Sequence, residues 1–262
     1  MQIQETESSL RMNKSTRSRT LRGCPRDRLR ERYDRLWSAT IGKIRTGSIE
    51  LDPVLEARAS DRRRGLTIIA RPSPAIQQRV AVFLRELRCL EPNQYYYSAS
   101  DFHLTVLSLF TATVNHAPFF AQRERYISSV DLALQKIGPI RIEFKGITAS
   151  AGTVMIQGFL VNDELNDLRE VLRNQLRVCQ LAGGLDQRYR LKTAHMTVAR
   201  FRAPLCDSER FATALERARQ RSFGAMSIGS LSLVKNDWYM TRKVLETVKR
   251  YRLSVQSQSC AP

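Results

Sequence analysis

The chain has no long hydrophobic run. Its apolar stretches, such as "LTIIA" at 66–70 and "VLSLF" at 106–110, fall far short of the roughly 20 residues that a membrane-spanning helix needs, so no membrane partner is expected. The opening residues, "MQIQETESSLRMNKSTRSRTLRGCP", lack the apolar core of a secretory signal, and Glu5 and Glu7 argue against a transit peptide. A cytoplasmic location is the expectation. Cysteine is sparse and scattered: Cys24, Cys89, Cys179, Cys206 and Cys260 are odd in number and form no CxxC or His/Cys cluster. That pattern suits reduced thiols and offers no metal site, and no cofactor is expected. Histidine is scarcer still, at three residues.

Acidic residues are also in deficit. Against 43 Lys and Arg stand 25 Asp and Glu, a net charge of +18. Basic surface attracts phosphate backbones, so a polyanionic partner, RNA or a nucleotide, is favoured over a basic or neutral one. The excess is present both in the first 65 residues and in the remainder. With 42% hydrophobic residues in 262, the chain can bury a substantial core, and a monomer is expected.

Residues 1–24 are polar, Arg-rich and aperiodic, which reads as a disordered basic arm. Over 25–65 the spacing of Tyr33, Leu36, Trp37, Ile41 and Ile44 predicts a helical extension packed on the main body. Then comes a strand at 66–72, with Ser73 and Pro74 suited to cap and open a helix. Ile76, Val80, Phe83, Leu84, Leu87 and Leu90 give that helix its apolar face. A strand "FHLTVLSLF", a helix over 120–136 and a strand "IRIEFKGI" follow. The order then repeats: strand 153–160, a helix with Leu165, Leu168, Leu172 and Leu176 on one side, strand "HMTVARF", a helix over 207–221, and the strand "MSIGSLSLV". A run at 242–253 is expected as a strand pairing back on the second sheet. The pattern predicts an α+β fold, bilobal, built from a duplicated strand-helix-strand-helix-strand unit whose two antiparallel sheets face a central cleft. Lobe one is placed at about 66–148, lobe two at about 152–252, and a tail at 253–262.

Two of the three histidines sit in the same setting, "HLTV" at 103–106 and "HMTV" at 195–198. Residues i and i+2 of a strand share a face, so each motif presents an imidazole beside a hydroxyl: His103 with Thr105, His195 with Thr197. Paired imidazoles suit a phosphate ester, one taking a proton and the other giving one, while the hydroxyls hold non-bridging oxygens. His116, in "VNHAPFF", has no such context and reads as a loop residue.

The two motifs and the elements around them, over residues 66–252, resemble the two-histidine (2H) phosphoesterases, which include 2'-5' RNA ligase-like proteins and cyclic nucleotide phosphodiesterases. The resemblance implies metal-independent chemistry on 2',3'-cyclic phosphates or 2'-5' linkages. It carries the catalytic role onto His103 and His195 and phosphate binding onto Thr105 and Thr197. The second motif is similar to the "HxTLAR" form, with Val198 in place of Leu, and suggests Arg200 as a further phosphate contact; the first motif has Ser108 at that place. Tyr95, Tyr96 and Tyr97 offer a base-stacking ring, and Asp101 is placed by strand spacing to orient His103. Two other readings are a non-catalytic module that binds RNA ends or a nucleotide, and an RNA end ligase, for which no P-loop or lysine motif is visible.

Overall fold

The computed structural model describes residues 24–254. The expected arm, apart from Cys24, and the tail from residue 255 lie outside the described residues.

Nine strands among the described residues form two sheets in which every neighbouring pair is antiparallel. The strands are β1 (Arg64–Ala70), β2 (Tyr95–Tyr96), β3 (Leu104–Thr113), β4 (Ile140–Ser150), β5 (Thr153–Leu160), β6 (Met196–Arg200), β7 (Ser222–Ile228), β8 (Ser230–Asn236) and β9 (Glu246–Arg252). The first sheet runs β3-β1-β8-β9 and the second β2-β6-β5-β4-β7. This is the α+β arrangement of two antiparallel sheets that the sequence pattern predicts.

The sheets do not divide the chain where the sequence repeat does. β4, expected in lobe one, pairs with β5 and β7 of the second sheet, because only Ala151 and Gly152 separate it from β5 and a hairpin is the local solution. The run "MSIGSLSLV" is two strands and not one: the chain breaks at Gly229 and passes from the second sheet to the first. Within the run 242–253, residues 246–252 form a strand, β9, but it pairs with β8 on the first sheet. Each sheet therefore draws strands from both halves, and the boundary expected at 148–152 is not one between sheets.

Helices cover the sheets: α1 (Pro25–Ser38), α2 (Ile41–Arg45), α3 (Pro74–Leu90), α4 (Ala117–Phe120), α5 (Arg123–Leu134), α6 (Glu164–Val178) and α7 (Ser208–Arg217). In α3, Ile76, Val80, Phe83, Leu84 and Leu87 are buried as their spacing predicts, and Pro74 opens the helix, although the Ser73 side chain makes no cap bond. The 25–65 extension is α-helical only to residue 45. It packs through α1 on β4 and β5. There Tyr33 is fully buried, and its hydroxyl accepts from Ala194 N (3.0 Å) and Gly158 N (3.3 Å) and donates to Gly158 O (3.1 Å). Gly158 is required at this crossing, since a Cβ there would stand 2.0 Å from Ala194 O.

Candidate active site

His103 immediately precedes β3 and His195 immediately precedes β6, and the burial of the two hexapeptides is identical position by position: 103, 105 and 108, like 195, 197 and 200, are half-buried, and the residues between them are buried. Strict alternation would not produce this pattern, because the fifth residue after a histidine falls on the opposite face. Register explains it. Ile68 and Ile69 of β1 face Leu107 and Thr105, so Val106 is an extra residue; Val154 and Met155 of β5 face Ala199 and Thr197, so Val198 is extra. Each motif thus carries a β-bulge at its valine, which reverses the alternation and turns Ser108 and Arg200 to the side of the histidine and threonine.

The six residues His103, Thr105, Ser108, His195, Thr197 and Arg200 line one cavity between the sheets, of about 190 Å³. The predicted site residues are brought together there, with the tyrosines as the exception. Tyr96 is buried, and its hydroxyl donates to the carbonyls of Leu87 and Glu91. Tyr95 meets Tyr97 and Tyr239 edge-on and lies under the Arg58 guanidinium. Tyr97 reaches the cavity, but it is buried and its hydroxyl accepts from Arg200 Nε (2.9 Å). These rings pack the wall, and the expected base-stacking surface is not presented there. The exposed ring at the cavity is Tyr189, and the guanidiniums of Arg63 and Arg188 both lie against the Trp238 ring.

Several supporting groups escaped the sequence reading. His103 Nδ1 lies 2.7 Å from the backbone carbonyl of Asp101, so the carbonyl of that residue orients the ring. The Asp101 carboxylate instead accepts from Arg242 N and the Ser98 hydroxyl. A carbonyl cannot donate, so Nδ1 carries the proton and the neutral ring keeps Nε2 as acceptor. His195 Nδ1 pairs with Thr193 Oγ1 at 2.8 Å. Beneath both motifs lies Arg169, 1% exposed. It donates from Nε to Val106 O (2.8 Å), and from Nη2 to Thr105 O (3.0 Å) and Thr193 O (2.9 Å). One guanidinium thereby satisfies the carbonyl freed by the first bulge and ties it to the residue two before His195. At the second bulge, Tyr97 N donates to Val198 O (3.0 Å). The sequence signal for Arg169 was its place on the buried face of α6, between Leu165, Leu168 and Leu172.

Arg200 is held by Tyr97 and, through Nη1, by Asp52 Oδ2 (3.4 Å), whose other oxygen accepts from Tyr239 OH (3.0 Å). Asp52 belongs to the N-terminal extension, so that segment helps build the site. Asn236, buried in the same cavity wall, has an Oδ1 with no partner among the described residues. Burial pushes His103 down to about 4, with the charges of Arg71 and Arg200 adding to it against the favourable Asp101 carbonyl bond. Burial likewise takes His195 to about 4, assisted by Arg169 and by His103 itself. Burial also lowers Arg169, to about 10. Among the described residues no three of His, Cys, Asp and Glu are grouped as metal ligands, and no helix is long and apolar enough to cross a membrane.

In overall shape the chain is similar to the crystal structure of TT0787 of Thermus thermophilus, with a TM-score of 0.51 and 16% identity over 74% of this chain and 100% of that one. E. coli LigT in apo form compares at a TM-score of 0.46 and 13% identity, over 74% of this chain and 99% of that one. Comparison with curated proteins finds no match. A family model for the 2'-5' RNA ligase superfamily matches residues 72–238, which is more than half of the chain and includes both bulged motifs, and the chain belongs to that superfamily.

Proposed function

We propose that this protein is a phosphoesterase that opens a 2',3'-cyclic phosphate, or cleaves a 2'-5' phosphodiester, in RNA or a nucleotide, with His103 and His195 as the acid-base pair. The observation that carries the reading is one cavity lined by two imidazoles and the hydroxyls of Thr105 and Thr197, with matching bulges that turn Arg200 and Ser108 to the same side. On a cyclic phosphate, one neutral imidazole takes a proton from water as the water oxygen bonds to phosphorus. The other, as imidazolium, gives its proton to the ribose oxygen whose bond to phosphorus breaks. Thr105, Thr197 and the Arg200 fork hold the non-bridging oxygens, where negative charge builds. Arg169, behind both motifs, adds positive potential to the site. The exposed Tyr189 at the cavity is the ring on which a base stacks.

The test is turnover of short RNAs ending in a 2',3'-cyclic phosphate, beside 2'-5' linked oligoadenylate, with chelator present. Wild type is expected to turn over at least one of them; His103→Ala and His195→Ala are each expected to lose roughly a hundredfold or more in kcat, the scale of a general acid or base. Activity that survives in either variant would sink the assignment, and the end-group formed identifies the leaving oxygen.

A further inference from the structure

A second cavity, of about 390 Å³, lies beside the first on the same sheet. Its floor includes Ile69 and Val234, which share strand alternation with Thr67 and Asn236 of the first cavity, and the Ile69, Val234 and Met240 cluster separates the two. Around the floor stand Arg71, Arg242 and Arg250 and the residues Ser100, Ser232 and Thr247; no carboxylate lines the cavity among the described residues. Arg242 and Arg250 are exposed, and neither forms an ion pair among the described residues. The nearby Asp101 has its carboxylate committed to Arg242 N and Ser98. Guanidinium groups gathered with hydroxyl residues, with no carboxylate in the lining, form a phosphate receptor, because the planar fork matches two phosphate oxygens.

The two cavities share a structural element. Arg71 Nη1 donates to Ser100 O (2.8 Å) and to Phe102 O (3.0 Å), the carbonyl immediately before His103. The same guanidinium therefore borders the second cavity and fixes the strand end that carries the first histidine.

We propose that this cavity holds a second phosphate of the RNA strand whose reacting phosphate sits between His103 and His195, which makes an oligonucleotide, and not a mononucleotide, the preferred substrate. The inference rests on the phosphoesterase reading above. Burial and the Arg242 charge already hold the Arg71 guanidinium below its usual range, and a bound phosphate relieves that repulsion.

The experiment compares Arg242→Ala/Arg250→Ala with a charge-matched control on the surface of α7, Arg210→Ala/Arg217→Ala. The readouts are anisotropy of a labelled five-nucleotide RNA with a 3'-phosphate, calorimetry with inorganic phosphate, and the ratio of kcat/KM for a cyclic-phosphate-ended pentanucleotide to that for a mononucleotide 2',3'-cyclic phosphate. In the cavity variant, RNA affinity and the kcat/KM ratio should both fall about tenfold, with a log-log salt slope shallower by about 0.7 per lost phosphate contact, and the control should keep wild-type values. RNA affinity and ratio equal to the control's would overturn the proposal. Loss of inorganic phosphate binding with RNA affinity intact would overturn it too, in favour of a free anion as ligand. Should wild type turn over no substrate while RNA affinity still depends on the two arginines, the cavity stands and the phosphoesterase reading fails.

Discussion

At the scale of single residues, the neutral state of both imidazoles governs what the site can do at each pH. With His103 and His195 pushed down to about 4 by burial and neighbouring cations, the free protein at neutral pH holds two bases and almost no acid. Acid-base catalysis needs one of each, so kcat/KM, which reports the free protein, is expected to rise as the pH falls from about 8 toward about 5. The anionic phosphate of a bound substrate raises the imidazole that it touches. Hence kcat should have its optimum at a higher pH than kcat/KM. Parallel pH profiles of the two constants check this, and a kcat/KM that declines steadily on the acid side of neutrality would contradict it. The histidines and threonines were legible in the sequence because a repeated dipeptide spacing survives whatever the strands do around it. Arg169 and Thr193 were not, since their roles depend on atoms that only the packed helix and the crossing strands bring within reach.

At the scale of elements, the bulges at Val106 and Val198 decide which residues face the cavity, and alternation read from sequence extends correctly only as far as each threonine. Nothing in "HLTVLS" or "HMTVAR" marks the extra residue, because a bulge is a relation between two strands and the partner strand lies elsewhere in the chain. Its support is visible in α6. Arg169 fills the carbonyls at Thr105, Val106 and Thr193, and Arg169→Met keeps the bulk of the side chain while leaving them unpaired. Each buried unsatisfied group costs about 1–3 kcal/mol, so urea unfolding should register a loss of about 3 kcal/mol or more. A fall in kcat should accompany it, because the two motifs lose their common brace. A variant as stable as wild type would mean that the carbonyls find other partners. The helices were the most readable elements: the spacing over α3 and α6 predicts their buried faces, although the charges of Arg169 and Arg173 on the buried side of α6 run against a simple apolar stripe.

At the scale of the molecule, the segment before β1 is structural as well as peripheral. Tyr33 bonds to Ala194, the residue before His195, and Asp52 steadies Arg200. A chain starting at residue 62 is therefore expected to lose activity and, with several kcal/mol of packing removed, roughly 10 °C or more of thermal stability. Tyr33→Phe, which leaves the Ala194 amide unpaired, should cost about 1–3 kcal/mol. Thermal melts of both check it; a truncated chain with the melting temperature of the whole would refute the coupling. The duplicated order of elements was readable because each unit has its own periodicity. The exchange of strands between sheets was not, since hydrophobic pattern says that a strand is buried and is silent on its neighbour.

That exchange also sets the order in which the fold can be completed. β1 is made well before its partner β8, which begins at Ser230, and before the outer strand β9, which begins at Glu246, so both leave the ribosome long after it. Until then the sheet that carries His103 has one edge open, and no cleft exists between the two motifs. The growing chain thus carries an unpaired β edge while everything between β3 and β8 is made, exposed to chaperones and to other nascent chains alike.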